Sequence, residues 1–326
     1  MRALVTGSTG FLGSHVCRLL VECGHTVRTF HRSTSRLLAL DGLPVEHVVG
    51  DVLDPGSLQP ALQGVDWVFH AAGRVAHWRE GEGSALVASI ITGTKNVLQA
   101  ARAAGVRRLV FTSSVAALGV SETGALLDET HPFNYSPERW PYGYAKHLAE
   151  GEVRAAANAG LDCVIVNPAL IFGPGDLNLV AGDLIVGMAR RRVPVTLPGG
   201  INVVYVADVA AGHLAAAERG RTGERYILGG ENLTHVETLR IVAEELGLRP
   251  PQLLPPALVG TAAGVVDLVN RVVRLPYNGD LLRLGRYFFY CDTAKARREL
   301  GLGEPRPARQ AIREAVAWYR EHGYIT

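Results

Sequence analysis

The stretch Thr6-Gly7-Ser8-Thr9-Gly10-Phe11-Leu12-Gly13 decides the fold. It follows an apolar run, Ala3-Leu4-Val5, and leads into an amphipathic stretch, Phe11–Glu22, that ends at Gly24. In such a turn Gly7 lets the chain leave the strand sharply, and Gly10 lets backbone N–H groups approach a pyrophosphate. Gly13 allows the helix to pack closely on the sheet, and the helix N-terminus supplies partial positive charge for the anion. A glycine-rich turn alone is weak evidence; its position after a strand and before a helix makes it a nucleotide-binding signal.

Working outward, short β-branched runs recur at Thr26–Phe30, Val45–Val49, Trp67–His70, Leu109–Thr112 and Cys163–Val166. Helical patterns separate them. Asp54-Pro55 supplies an N-cap and a first-turn proline, and Val87–Ala104 reads as a further helix. Continuous apolar strands alternating with helices predict a parallel sheet covered on both faces, the doubly wound α/β (Rossmann) arrangement. After Pro168 glycine and proline punctuate the chain, and only Thr238–Leu246 and Ala308–His322 keep clear helical patterns. The expectation is a dinucleotide-binding domain over 1–170, with 203–230 returning to it. Residues 171–202 and 231–326 would form a smaller, interleaved C-terminal substrate lobe.

Of the 326 residues 48% are hydrophobic and 20% charged, which excludes a disordered or fibrous chain and supplies a large core. The net charge of +2 points away from nucleic acid. Arg190-Arg191-Arg192 and Arg297-Arg298 read as solvated helix ends. Cys17, Cys23, Cys163 and Cys291 show no CxxC spacing and read as reduced, mostly buried thiols of a cytoplasmic protein. The chain opens on a strand-like run, so no signal peptide is expected. The longest apolar stretch, Ala257–Val273, is broken by Asp267, Asn270 and Arg271, too short and too polar to span a bilayer. A half-buried helix or a flap is expected there. The 11 histidines show neither HExxH nor clustered Cys/His spacing, so no metal site is expected.

The end of the second strand, Val27-Arg28-Thr29-Phe30-His31-Arg32-Ser33, carries no acid. NAD sites place an acid there for the ribose hydroxyls, whereas Arg32 with Ser33 and Thr34 suits the 2′-phosphate of NADP. The alternative is an arginine exposed on a loop. Asp51 is placed to accept from the adenine amino group, or to cap a turn.

Tyr142-Gly143-Tyr144-Ala145-Lys146 is a YxxxK. If 138–157 is helical, Tyr142 and Lys146 lie one turn apart on one face, and the lysine is expected to draw the phenol's pKa down toward working pH. The tyrosine is then a general acid or base for a carbonyl or alcohol. Thr112-Ser113-Ser114, at the carboxyl end of the preceding strand, puts a serine where it can bond the same substrate oxygen. His70 reads as packed and hydrogen-bonded at its strand end, and His77-Trp78 as either cleft lining or an exposed loop. Asn167-Pro168 reads as a contact to nicotinamide or substrate, or as a strand terminator.

TGSTGFLG, Asp51-Val52, His70-Ala71-Ala72-Gly73, Thr112-Ser113-Ser114, Tyr142xxxLys146 and Asn167-Pro168 occur in the order seen in extended short-chain dehydrogenase/reductases, which the chain resembles along its length. Val204-Tyr205-Val206-Ala207-Asp208-Val209-Ala210 is a second-half motif of that family. Phe111-Thr112-Ser113-Ser114, Phe172-Gly173-Pro174-Gly175-Asp176 and Arg32 look most like its dihydroflavonol-4-reductase-like group. The resemblance implies a triad of Ser114, Tyr142 and Lys146, with Ser113 the rival for the serine. Tyr142 would transfer the proton, and Lys146 would bind the nicotinamide ribose. It also implies cofactor contacts at Gly7, Thr9, Gly10, Phe11, Leu12, Gly13, Arg32, Asp51, Val52, Ala71, Ala72, Gly73, Tyr142, Lys146 and Pro168. The Asp-Glu pair that sugar dehydratases of the family carry after the serine is replaced by Val115-Ala116, which argues against dehydration.

The expected function is an NADP-dependent carbonyl reductase or alcohol dehydrogenase acting on a small organic substrate. A nucleotide-sugar 4-epimerase with tightly held NAD would use the same triad and grip a diphosphate with groups such as Arg283, Arg286 and Asn178. A dinucleotide sensor would have no need of the Tyr142–Lys146 pair. Relatives of this kind suggest a homodimer through the helices around 86–104 and 142–157.

Overall fold

The computed structural model describes residues 1–73, 83–273, 275 and 278–326. His77 and Trp78 lie outside the described residues.

Seven parallel strands make the main sheet: β1 (Arg2–Thr6), β2 (Thr26–His31), β3 (Glu46–Val49), β4 (Trp67–His70), β5 (Arg108–Thr112), β6 (Cys163–Pro168) and, after a long excursion, β10 (Arg225–Leu228). They lie in the order β10-β6-β5-β4-β1-β2-β3. The chain runs outward from β1 to β3, then returns to build β4, β5, β6 and β10 on the other side. The reversal falls between β1 and β4, and in such sheets ligands bind beyond the carboxyl ends of the strands at that point. Ala3, Leu4 and Val5 are buried, as are all six residues of β6, because helices cover both faces.

On one face lie α1 (Phe11–Glu22) and α6 (Val206–Arg219), burying Val16, Cys17 and Leu20 from the first and Val209, Ala215 and Ala216 from the second. On the other lie α2 (Pro55–Ala61), α3 (Gly83–Ala103) and α4 (Pro141–Asn158), contributing Leu58, Val97, Leu98, Ala145, Ala149 and Val153. Local chemistry sets the helix starts. Asp54 caps α2 by accepting from the Gly56 N–H at 3.0 Å, and Pro55 and Pro141 stand at first-turn positions where no N–H is needed.

The smaller lobe is built around β9 (Gly200–Tyr205), which pairs antiparallel with β11 (Glu231–Thr234) and parallel with β7 (Leu170–Phe172) and β13 (Phe288–Phe289). A separate pair joins β8 (Val195–Thr196) to β12 (Gln252–Leu253). Helices α5 (Gly182–Ala189), α7 (His235–Leu246) and α11 (Ala308–Glu321) close a core of Ile185, Val242, Ile312 and Tyr319. Thr234 and Glu237 form a reciprocal capping box at the start of α7. α10 (Ala294–Leu300) goes back to the main sheet, burying Ala296 and Leu300 beside α6. The expected return of 203–230 divides in the structure. α6 and β10 join the main sheet, whereas Val203, Val204 and Tyr205 belong to β9, whose partners are all in the smaller lobe.

The apolar stretch at 257–273 forms α8 (Pro256–Asn270), against which α9 (Gly279–Leu284) packs. It is less buried than expected: within α8 only Val259 and Ala263 are buried, and Leu258, Val265, Leu268 and Val269 are exposed. Among the described residues no helix is long and apolar enough to cross a membrane. The four cysteines are free thiols, with Cys17, Cys163 and Cys291 buried and Cys23 exposed.

Candidate active site

The glycine-rich turn lies between β1 and α1. Gly7 has φ of +68°, and a Cβ there would stand 2.7 Å from both the Ala71 carbonyl oxygen and the Ala72 nitrogen, so the turn fits only against a bare backbone. A Cβ on Gly13 would fall 2.2 Å from the Gly7 oxygen, which is the close helix–turn contact expected of it. Gly10 is the N-cap of α1 in ordinary extended geometry and provides no side-chain cap. The first turn of α1 holds no acid. The buried Ser8 hydroxyl, in the same turn, has no protein partner. Uncapped N–H groups, a positive dipole end and a spare hydroxyl together fit the pyrophosphate of a dinucleotide.

Around this cradle, Ala71 and Ala72 bond back to Thr6 through its main-chain oxygen and its hydroxyl, both at 3.2 Å. His70 is buried between Thr6 Oγ1 at 2.7 Å and Thr94 Oγ1 at 3.4 Å. Burial, with the Lys146 charge adding to it, holds its pKa down at about 3, so it is neutral. Asp51 uses a carboxylate oxygen to accept from the Leu53 N–H at 2.9 Å, a turn contact, and Val52 is clamped by Asn96 donating to its carbonyl at 2.9 Å. Arg32 stands exposed just beyond the end of β2. Thr9, Phe11 and Leu12 belong to the turn and the first residues of α1. Pro168 ends β6.

Tyr142 and Lys146 lie one turn apart on α4. The Lys146 ammonium, 5% exposed, donates to the Thr112 carbonyl at 2.7 Å, over the Phe111 ring and close to Gly73. Burial brings its pKa down to about 8, with the carboxylate of Glu150 pulling the other way. Tyr142 is half-buried, and its phenol is pushed up to about 12 by burial, against a hydrogen bond with the Ser114 side chain that lowers it. The direction is opposite to the one expected from the sequence: burial raises the phenol, and the Lys146 amine is engaged with the buried Thr112 carbonyl at the end of β5.

The two serines separate cleanly. Ser114 caps the short 3₁₀ turn Val115–Leu118, accepting from the Ala116 N–H at 3.2 Å, and its hydroxyl meets Tyr142. Ser113 is buried and donates to Glu150 Oε1 at 2.6 Å. Asn167 reaches the same carboxylate at 2.6 Å and also donates to the Ser114 carbonyl at 2.9 Å. Glu150 is not singled out by the sequence; in the structure it also pairs with Arg154 one turn along α4. His213 on α6 is not singled out either; its Nε2 meets the Thr112 hydroxyl at 2.9 Å while its Nδ1 bonds the Val209 carbonyl.

Beside Tyr142 lies an apolar cluster drawn from both lobes, with Ala116, Val120 and Trp140 from one side and Leu284 and Phe289 from the other; Tyr135 and Tyr287 pack against it. Of the groups suggested as a diphosphate grip, Arg283 is tied to Asp267 at 2.8 Å and Asp280 at 3.1 Å. Asn178 and Arg286 are exposed. Among the described residues no group of three or more His, Cys, Asp or Glu side chains could hold a metal ion.

A parallel sheet with a glycine-rich turn at its switch point and a Ser–Tyr–Lys constellation beside it is the architecture of a dinucleotide-dependent enzyme of the short-chain dehydrogenase/reductase class. Residues 3–229 match the model of the NAD dependent epimerase/dehydratase family, and the chain belongs to it, as an NAD(P)-dependent enzyme of the extended type. It is 38% identical to a putative dihydroflavonol 4-reductase of Synechocystis sp., over 98% of this chain and 95% of that one. It is 39% identical to sterol demethylase protein B of Methylococcus capsulatus, over the whole of both. A solved nucleoside-diphosphate-sugar epimerase from Pseudomonas aeruginosa superposes with a TM-score of 0.84 at 29% identity, over 100% of this chain and 99% of that one.

Proposed function

We propose that the protein is an NADP-dependent reductase or alcohol dehydrogenase that moves a hydride to or from the carbonyl or alcohol carbon of an organic substrate. The observation that carries this reading is the Ser114 hydroxyl set against the Tyr142 phenol, with Lys146 one turn further along the helix and all three beside the glycine-rich turn. The nicotinamide, when bound, supplies or takes the hydride. Tyr142, with its phenol held at about 12, keeps its proton at neutral pH and is set to donate it to a carbonyl oxygen. Ser114 binds that same oxygen as charge develops on it. Lys146 supplies the positive charge that steadies the phenolate left behind.

The apolar cluster against Tyr142 supports a substrate with a sizeable hydrocarbon part. Tyr287, which packs on that cluster, also lines a cavity with Glu122, Pro198, Pro256, Arg286 and Phe288. The relatives named for a dihydroflavonol and a sterol are consistent with such a substrate. The nucleotide-sugar epimerase reading has the Pseudomonas neighbour in its favour. Against it, Arg283 is already neutralised by two aspartates. The deciding experiment is binding and turnover with NADPH and NADH over a panel of ketones, aldehydes and nucleotide sugars. Exchangeable NADPH with carbonyl reduction supports the proposal, whereas NAD retained through purification with sugar epimerisation overturns it.

A further inference from the structure

We propose that Glu150 is a positioning residue of this site, the buried counter-charge that keeps the Lys146 side chain in its ammonium form. Its carboxylate has no exposed surface. One oxygen accepts from Ser113 Oγ and from Asn167 Nδ2, each at 2.6 Å; the other faces Arg225 Nη1 at 3.1 Å and Arg154 Nη1 at 3.2 Å. Arg225 is itself fixed by donating to the main-chain carbonyls of Glu129 at 2.5 Å and His131 at 2.9 Å. Lys146 lies one helical turn before Glu150, where side chains are neighbours.

The charged and titratable groups around this point come from three elements. α4 brings Tyr142, Lys146, His147 and Arg154, β10 brings Arg225, and β4 brings the neutral His70. Within this group Glu150 is the carboxylate paired with Arg225 and Arg154, and Lys146 stands one helical turn from it on the same helix. Arginine does not release its proton in a protein, so if the carboxylate were lost the lysine would be the group to yield. Lys146 stands near a pKa of about 8, close enough to neutrality for that loss to change its charge in ordinary conditions. Asn167 adds a mechanical link, since the amide nitrogen bonded to Glu150 also holds the carbonyl of Ser114.

The inference bears on catalysis through the reading of Lys146 as the partner of Tyr142, but its test reads the lysine itself. The chain contains three lysines, Lys95, Lys146 and Lys295, so ¹³C-lysine NMR resolves each titration, with Lys146→Ala identifying its own signal. Glu150→Gln keeps the shape and an acceptor oxygen. It should lower the Lys146 midpoint by about one pH unit or more, the effect of removing a nearby opposite charge. Lys95 and Lys295 should not move. Glu150→Asp, which keeps the charge, should restore a midpoint near that of the wild type. A Lys146 midpoint unchanged in a folded Glu150→Gln protein, even with reduced melting temperature, would overturn the proposal and leave Glu150 a structural tie. Should Glu150→Gln fail to fold, Arg154→Gln reads the same charge from its half-exposed side. Removing a cation that shares the carboxylate should raise the Lys146 midpoint, and an unchanged or lower one would overturn the proposal. Loss of the reductase reading through an active Tyr142→Phe variant would leave these titrations as they are, so the two failures are distinguishable.

Discussion

The Lys146 ammonium donates to the main-chain carbonyl of Thr112 at 2.7 Å, so the helix that carries Tyr142 is moored to the carboxyl end of β5. The Thr112 hydroxyl is taken by His213, which ties the same strand end to α6 on the opposite face of the sheet. The tip of β5 is thus fixed from both sides, and the serine that follows Ser113 is presented to Tyr142 from a rigid base.

That arrangement separates the roles of four side chains. Tyr142→Phe keeps the ring and its packing but removes the proton, so turnover should fall about 10²–10⁴-fold with little change in cofactor affinity. Ser114→Ala should also lower turnover, since it removes the hydroxyl bonded to Tyr142. Lys146→Ala should damage turnover and cofactor binding together. Ser113→Ala should leave turnover nearly intact and cost about 2 kcal/mol of stability, because it strips one donor from a buried carboxylate. Steady-state kinetics, cofactor titration and urea unfolding of the four variants check the pattern. Near-wild-type turnover in Tyr142→Phe would sink the catalytic assignment.

A second expectation concerns acid. Burial holds His70 at about 3 and His213 at about 4, below the ordinary histidine value of 6.5. Between those folded values and 6.5 the unfolded chain binds protons that the folded chain refuses, so stability rises with pH across that window and is lost as the pH falls through it. Unfolding free energies measured from pH 7 down to pH 4 should therefore decline. His213→Gln, which cannot take up a proton, should lower stability at pH 7 yet flatten the decline. A variant that falls as steeply as the wild type would remove His213 from the explanation.

The parts of the site that the sequence displays are those made of consecutive or one-turn neighbours. The Gly7–Gly13 turn and the Tyr142–Lys146 spacing each lie within eight residues, and the apolar runs inside β1, β4, β5 and β6 are continuous because both faces are buried, whereas β2 also buries Arg28, Thr29 and His31. The hub at Glu150 draws on Ser113, Asn167 and Arg225, which no local pattern connects. Its visible part, Glu150 with Arg154, looks like an ordinary helix-surface pair. The smaller lobe is equally hard to read: β8, β12 and β13 are two residues each, too short for any period, and β9 takes partners from far along the chain. In α8 the pattern misleads in another way, since its apolar residues cover a helix whose surface is largely exposed.

The glycines of the turn between β1 and α1 should respond differently to the same small change. At Gly13 an added methyl would meet the Gly7 oxygen at 2.2 Å, so Gly13→Ala should unfold at markedly lower temperature. At Gly10 the nearest atom would be that oxygen at 3.1 Å, a contact the turn can relieve by a few tenths of an ångström. Gly10→Ala should therefore keep its fold by circular dichroism and melt within a few degrees of the wild type. It should nevertheless lose dinucleotide affinity by about tenfold or more, since the methyl group occupies the approach to the uncapped N–H groups of α1. Full cofactor affinity in a folded Gly10→Ala protein would show that the phosphate is held elsewhere.

The proposed preference for NADP rests on one exposed side chain. Arg32 stands just past the end of β2, where an acid would bind the ribose hydroxyls of NAD, and the segment 27–33 contains no acid. A guanidinium there can form charge-assisted bonds to a 2′-phosphate and has nothing comparable to offer a 2′-hydroxyl. NADPH should thus bind more tightly than NADH. Arg32→Ala should weaken NADPH by about 1–3 kcal/mol, the scale of a hydrogen bond to a charged group, while NADH changes little. Because Arg32 is exposed, the loss should shrink as salt is raised from 50 mM to 500 mM (about a threefold shortening of the screening length), whereas NADH binding should hold nearly constant. Isothermal titration of both cofactors to both proteins at the two salt concentrations decides the matter. Equal losses for the two cofactors, or a wild-type preference for NADH, would refute the assignment of Arg32 to the 2′-phosphate.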